Sequence, residues 1–171
     1  HGALAGAFLL GMRKVYGIEE MTCLSSVDLR KVVDPPLPPE TYGCFVDVLR
    51  TRHKIAPELW PTARDVSFKL VAAIARDQQA ASVVKLPNWR VLAAESLPTV
   101  LNRGRIDGLG ITTAGESGLR RTYGNHTLED VTMAVSLDII GPGLLVIAVE
   151  REGALDISVS HAARATPEAD A

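Results

Sequence analysis

The first helix-forming stretch of the chain is apolar on every side. From Ala3 to Met12 its residues are Ala, Gly, Leu, Phe and Met, and the helix-forming character continues to Tyr16. A helix at a protein surface normally has one apolar stripe and one polar face. The sequence therefore predicts a helix over 3–16 that is buried on most sides. Two interpretations stay open: the helix packs partly against a region outside this sequence, or it is a central helix under a sheet.

Composition excludes several classes of protein. The 171 residues carry 18 Lys and Arg against 20 Asp and Glu, a net charge of −2, and 47% of them are apolar. This is typical of a folded domain, and a near-neutral chain offers nucleic acid no basic surface. The longest apolar run is shorter than the roughly 18 residues that a membrane span needs. Cys23 and Cys44 lie in apolar stretches, so we expect buried free thiols in a cytoplasmic protein.

Breaks and periodicity divide the next part of the chain into two strands and a helix. The segments 21–29 and 44–49 are predicted strands, separated by a proline-rich extended loop. Thr62 and Asp65 resemble a capping box, and apolar residues follow them at three- and four-residue spacing. The pattern predicts a helix over 61–80.

Downstream of this helix the sequence is rich in strands. The candidates are 99–102, 131–137, 144–150 and 155–161. The last two form a predicted hairpin around Glu152 and Gly153. In its second arm apolar residues alternate with Asp and Ser, which is typical of a strand with one wet face. Two helices and about six strands predict an α+β domain with a mixed or antiparallel sheet.

The histidines do not form a recognisable metal site. They are His1, His53, His126 and His161. None has another His, Cys or carboxylate at metal-ligand spacing. Three glycines between residues 108 and 115 likewise lack the spacing of a dinucleotide-binding loop. A hydrolase that uses Ser25 or Ser26 with His161 stays open as a weaker alternative, because no nucleophile motif surrounds the two serines.

Three segments follow one another in an informative order. They are 26–30 (SVDLR), 33–36 (VDPP) and 42–49 (YGCFVDVL). This order resembles the second half of the condensation-domain-like acyltransferases. That superfamily includes peptide-synthetase condensation domains, alcohol acetyltransferases and polyketide-associated dimycocerosyl transferases. The opening HGAL resembles the helix start of the alcohol acetyltransferases, and 101–105 (LNRGR) resembles the family's S-N-x-G-R segment.

The resemblance implies a chloramphenicol-acetyltransferase-like lobe and half of an active site. In this family two such lobes enclose a tunnel, and the first lobe carries the motif H-H-x-x-x-D-G. The second histidine of that motif is the general base that takes a proton from the acceptor hydroxyl or amine. The 171 residues contain no such motif. The resemblance therefore implies a C-terminal lobe over 1–161 with a polar tail over 162–171, inactive without the first lobe.

The resemblance also assigns residues to a site. Arg30 matches the family arginine that pairs with the aspartate of the histidine motif, so Arg30 and Asp28 are expected to join the lobes. Three further residues are expected to line the tunnel or contact substrate: Asp47, Asn102 and Gly104. Leu101 stands where the family usually has a serine, a departure that puts hydroxyl-based oxyanion stabilisation at this position in doubt.

The implied function is transfer of a fatty or polyketide acyl group to an alcohol from a thioester of CoA or a carrier protein. No bound cofactor is expected, because the thioester is a substrate, and an acyl carrier protein is a further partner that the resemblance allows. The alternative is a non-catalytic binding or interaction module of the same fold. The family has a C-terminal helix after the last hairpin, and this sequence shows none, so both ends are expected to be cut.

Overall fold

Two helices and seven strands follow one another in the described part of the chain. The computed structural model describes residues 1–76, 108–116, 119–135, 142–151 and 153–161. The helices are α1 (Gly2–Tyr16) and α2 (Leu59–Ala75). The strands are β1 (Glu20–Asp28), β2 (Val46–Lys54), β3 (Leu109–Glu116), β4 (Thr122–Tyr123), β5 (His126–Thr127), β6 (Leu144–Arg151) and β7 (Ala154–His161).

Five of the strands form one mixed sheet in the order β2-β1-β3-β6-β7. The three central strands, β1, β3 and β6, run parallel, and the edge strands β2 and β7 pair antiparallel with their neighbours. β4 and β5 form a separate antiparallel pair. The predicted α+β class with a mixed sheet is confirmed, and so is the hairpin of β6 and β7.

The apolar first helix packs against α2 and the sheet. Ala5 and Leu9 have no exposed surface and share a core cluster with Val66 of α2. Ala3 and Ala7, one turn apart, are exposed on the outer side of α1. The helix predicted over 3–16 is therefore present, but the described residues do not surround it.

Two glycines allow α1 and α2 to approach closely. A Cβ atom at Gly2 would lie 2.7 Å from the carbonyl oxygen of Ala63, and one at Gly6 would lie 3.0 Å from the Cα atom of Ala63. Residues four apart lie on the same face of a helix. The two glycines therefore form the surface along which α1 crosses α2.

A buried polar network joins β2 to α2. The side chain of His53 is fully buried, with Nδ1 2.7 Å from Asp65 Oδ2 and Nε2 2.7 Å from Thr51 Oγ1. Lys69 Nζ lies 3.0 Å from the same carboxylate oxygen. The carboxylate of Asp65 therefore contacts the imidazole of His53 and the ammonium group of Lys69, and it does not cap the helix.

The predicted capping box of α2 is wrong. The helix begins at Leu59, and its N-cap residue is Glu58. Thr62 lies inside the first turn, where its hydroxyl accepts a hydrogen bond from the Ala56 N–H (3.0 Å) and donates one to the Glu58 carbonyl (3.2 Å). The hydroxyl thus holds the segment that precedes the helix against the first turn of the helix. The helix ends at Ala75, with Arg76 as its C-cap, so the prediction that it continues to residue 80 is wrong.

The strand predicted over 131–137 is not formed by its described part, 131–135. The N–H groups of Met133 and Val135 donate to the hydroxyls of Ser158 and Ser160 on β7, at 3.0 and 3.4 Å. The segment is therefore held by side chains rather than by a strand ladder. Residues 136–137 and the strand predicted over 99–102 lie outside the described residues.

β7 exposes its apolar side, contrary to the predicted wet polar face. Leu155, Ile157 and Val159 are 56%, 47% and 46% exposed. Their register with β6 places them on the face of the sheet that carries the helices. They stay exposed because α1 packs over the central strand β3 and α2 packs over β2, the edge strand farthest from β7.

Candidate functional site

Arg30 follows β1 and is held by three neighbours. Its Nη1 donates to Asp28 Oδ1 (3.0 Å), its Nη2 donates to the Thr41 carbonyl (3.2 Å), and the guanidinium carbon lies 5.2 Å from the centre of the Phe45 ring. These contacts fix the plane of the guanidinium group. Its Nε is buried and has no hydrogen-bond partner in the described part of the chain. A buried donor without an acceptor costs about 1–3 kcal/mol.

The carboxylate of Asp28 is fixed by the same arginine. The backbone N–H of Arg30 donates to Asp28 Oδ1 at 3.1 Å. This hydrogen bond lowers the pKa of Asp28, and burial offsets it only in part; the Arg30 guanidinium and Lys31 lower it further. Asp28 is therefore ionised at neutral pH, and its pairing with Arg30 fixes the beginning of the loop that follows β1.

An open depression lies beside Arg30. It is lined by Arg30 and residues 39–44. Cys44, at its rim, is exposed, so the prediction that this thiol is buried is wrong. Cys23 on β1 is fully buried as predicted, and burial raises the pKa of its thiol to about 12. Neither cysteine takes part in a disulfide.

Asp47 lies on the buried face of β2, at 7% exposure. Its Oδ1 accepts a hydrogen bond from the Val48 N–H at 2.7 Å. The alternation of β2 places it on the same face as His53, toward α2. Asn102 and Gly104, the other residues assigned to the tunnel by resemblance, lie outside the described residues, and all three assignments stay predictions.

A second polar cluster forms where α1 begins, and no sequence pattern indicated it. His1 Nε2 lies 3.0 Å from Ser25 Oγ, and His1 Nδ1 lies 3.3 Å from Thr113 Oγ1. Ser25 is therefore paired with His1, not with His161 as in the hydrolase alternative. The Nδ1 atom of His161, on β7, is buried and has no hydrogen-bond partner among the described residues.

The opposite face of the same two strands carries a simpler contact. Ser26 Oγ and Thr112 Oγ1 lie 2.9 Å apart. Within the described ranges no group of three or more His, Cys, Asp or Glu residues could hold a metal ion. No helix in those ranges is long and apolar enough to cross a membrane.

Known proteins share both the sequence pattern and the fold. Residues 1–111 match the sequence profile of the phthiocerol/phthiodiolone dimycocerosyl transferase C-terminus. The fold is similar to that of polyketide synthase associated protein 5 from Mycobacterium tuberculosis, with a TM-score of 0.63 and 19% identity over 96% of this chain. It is also similar to the starter condensation domain of rhizomide synthetase, with a TM-score of 0.57 and 11% identity over 99% of this chain. No curated protein matches the sequence.

The matched structures are much longer than this chain. The similarity covers 41% of the mycobacterial protein and 37% of the condensation domain. The likeness confirms the predicted condensation-domain-like lobe as the fold. At 19% and 11% identity it carries no information on substrates.

Proposed function

The chain belongs to the family of phthiocerol/phthiodiolone dimycocerosyl transferase C-terminal domains, and on that premise we propose that it is the second lobe of an O-acyltransferase. The observation that carries the proposal is the family match over residues 1–111, together with a fold that corresponds to 41% of a longer related chain. The proposed donor is a fatty or polyketide acyl thioester of CoA or an acyl carrier protein. The proposed acceptor is an alcohol.

The proposed reaction forms an ester and releases a thiol. The alcohol oxygen attacks the thioester carbonyl, a general base takes the hydroxyl proton, the C–S bond breaks, and the sulfur leaves as the protonated thiol. We place the base in the H-H-x-x-x-D-G motif of the first lobe, because this sequence contains no such motif. This chain would supply one wall of the tunnel, with Asp47, Asn102 and Gly104 as the proposed contacts.

Arg30 is the proposed anchor between the lobes. Its side chain is 21% exposed, and its guanidinium is held in place by Asp28, the Thr41 carbonyl and the Phe45 ring. A group already fixed in the free lobe loses little freedom when it binds. Its exposed edge would meet the carboxylate of the motif on the first lobe, in a charge-assisted pair.

We expect Arg30→Met to weaken the binding of the two lobes about 30-fold or more. Without the guanidinium, the carboxylate of the motif on the first lobe would be desolvated and left unpaired. The measurement is the dissociation constant between this chain and a separately expressed first lobe. Arg30→Lys keeps the charge but loses the planar fork and the stacking on Phe45, so an intermediate constant is expected.

Arg50→Met is the matched control. Arg50 is an exposed arginine on β2, and its removal is expected to leave the dissociation constant unchanged. Unfolding curves of the free variants check that each lobe is folded. Equal binding by Arg30→Met and the unsubstituted chain would contradict the role of Arg30 as an anchor.

A further inference from the structure

Three polar side chains meet near the carboxyl ends of two parallel strands. Ser25 lies three residues before the end of β1, Thr113 lies three residues before the end of β3, and His1 is the N-cap residue of α1. The imidazole of His1 joins the two hydroxyls, at 3.0 Å from Ser25 Oγ and 3.3 Å from Thr113 Oγ1. In open α/β sheets the crevice outside the carboxyl ends of parallel strands is the usual place for a ligand.

The burial of Ser25 sets the direction of the hydrogen bonds. Ser25 is fully buried, and His1 is the partner of its hydroxyl in the described part of the chain. If Ser25 accepted a hydrogen bond from His1, its own buried O–H would have no acceptor there, at a cost of about 1–3 kcal/mol. We therefore assign the Ser25 O–H as the donor to Nε2. The neutral ring then carries its proton on Nδ1 and donates it to Thr113 Oγ1.

This direction leaves the Thr113 O–H free to donate. Thr113 is exposed, so its hydroxyl is the outer end of a chain that begins at the buried Ser25. Successive hydrogen bonds polarise one another, which strengthens the last donor. The Thr113 hydroxyl is therefore a better donor than an isolated threonine on the same surface.

A β-bulge follows Thr113 directly. Thr113 pairs with Ala148 of β6 and Glu116 pairs with Glu150, so β3 has one extra residue between these pairs. Gly115, inside the bulge, has φ +66°, a conformation that favours glycine. Bulges end regular pairing and redirect side chains, and they are common beside binding sites. The bulge therefore leaves Thr113 at the last regular position of the ladder.

We propose that the Thr113 hydroxyl, held by His1 and Ser25, donates a hydrogen bond to a carbonyl oxygen of the acyl thioester donor. The proposal rests on the proposed function, since it places the donor in the tunnel between the lobes. The aliphatic acyl chain of such a donor has no polar atoms, so beside the reacting bond the carbonyl oxygen of the thioester is the acceptor that a hydroxyl donor can recognise. In this arrangement Thr113 binds substrate, while His1 and Ser25 are positioning residues.

The test measures the dissociation constant of octanoyl-CoA from the two-lobe protein, which is this chain together with the first lobe. Thr113→Val keeps the shape of the side chain, and we expect it to raise the dissociation constant about tenfold, the effect of one hydrogen bond. Thr113→Ser is expected to restore binding to within about twofold, because it returns the hydroxyl.

A double-mutant cycle tests whether Ser25 acts through Thr113. Ser25→Ala alone is expected to raise the constant by less than Thr113→Val does, since Thr113 keeps its hydroxyl. Ser25→Ala combined with Thr113→Val is expected to bind no more weakly than Thr113→Val alone. A merely structural role of Ser25 would instead give additive losses.

Thr112→Val is the matched control, because Thr112 lies on the same strand with its hydroxyl paired to Ser26 on the opposite face. It is expected to leave the constant unchanged. Equal binding by the unsubstituted protein and Thr113→Val, additive losses in the cycle, or no measurable binding at all would overturn the proposal. Binding that depends on Thr113 without any acyl transfer to an alcohol would support this contact and contradict the proposed function.

Discussion

Gly6→Val is expected to lower the free energy of unfolding by about 3 kcal/mol, at the upper end of the range for overpacked cores. The atoms that a Cβ at Gly6 would meet are the Cα and backbone N of Ala63, each at 3.0 Å. Backbone atoms cannot rotate away as the end of a flexible side chain can. The substitution must therefore separate α1 from α2, and with them the buried residues that the crossing holds together.

Gly11→Val is the matched control for this prediction. Gly11 lies in the same helix, and a Cβ there would meet nothing within 4 Å. Valine and glycine differ only by a few tenths of a kcal/mol in helix propensity, so the control is expected to change the free energy of unfolding by less than about 0.5 kcal/mol. Urea unfolding curves give both values. Equal losses in the two variants would contradict the close crossing of the helices.

The free energy of unfolding is also expected to fall as the pH is lowered below about 6.5, the ordinary pKa of histidine. Burial lowers the pKa of His53 below that value, and its hydrogen bond to Asp65 does not overcome the effect. The unfolded chain therefore binds the proton more readily than the folded chain. The stability that neutral His53 contributes is fully present above pH 6.5 and is lost as the pH falls toward the folded pKa of His53.

Protonation of Asp65 also lowers the free energy of unfolding, but only at lower pH. Burial alone would raise its pKa, but hydrogen bonds from His53 and Lys69 outweigh burial and lower the pKa below 3.8. Its contribution is therefore present above that ordinary value and lost as the pH falls through the folded pKa of Asp65. Between about pH 7 and 5, the change in stability expected from this network comes from His53.

His53→Gln removes the titrating group of this network. The variant is expected to be less stable than the unsubstituted chain by about 1–3 kcal/mol at pH 8, because hydrogen bonds to Asp65 and Thr51 are lost or weakened. It is also expected to have a shallower dependence of stability on pH between 7 and 5. His126→Gln, at an exposed histidine on β5, is expected to keep the original slope. The same slope in His53→Gln would contradict the assignment.

Sequence patterns predicted those elements that are marked by an apolar run or a clear turn. The first helix was indicated by its continuous apolar character, and β6 and β7 by short apolar runs around a turn. The observed boundaries differ from the predicted ones where side-chain contacts, and not the spacing of apolar residues, determine where an element begins. Thr62 and Asp65 fit a capping pattern, yet Asp65 contacts β2, and that contact depends on the register of a strand elsewhere in the chain.

β3 escaped prediction because its sequence does not look like a strand. It is a central strand between two parallel neighbours, and its residues, LGITTAGE, show no alternation of apolar and polar side chains. Gly110 lies within it, where a Cβ would come within 2.7 Å of Pro142 and Leu145 side-chain atoms. Close packing therefore requires a glycine at a position where the sequence suggests a loop.

The candidate site was only partly predictable, because some of its contacts depend on which strands are neighbours in the sheet. The pairing of Arg30 with Asp28 is local, yet the family pattern indicates Arg30 as the partner of an aspartate on the other lobe and not of Asp28. The contact of His1 with Ser25 and Thr113 joins residues 24 and 112 positions apart, and it exists only because β1 and β3 are neighbours in the sheet. Spacing along the chain carries no sign of such a contact.

The central claim is that this chain is one lobe of an acyltransferase whose proton-transfer group lies on another lobe. The most direct measurement is thioester consumption with octanoyl-CoA and an alcohol acceptor, for this chain alone, for the first lobe alone and for the two together. We expect ester formation only when both lobes are present. Ester formation by the 171-residue chain alone, or stable binding of the lobes without any ester formation, would contradict the claim, and the second result would favour a non-catalytic binding module.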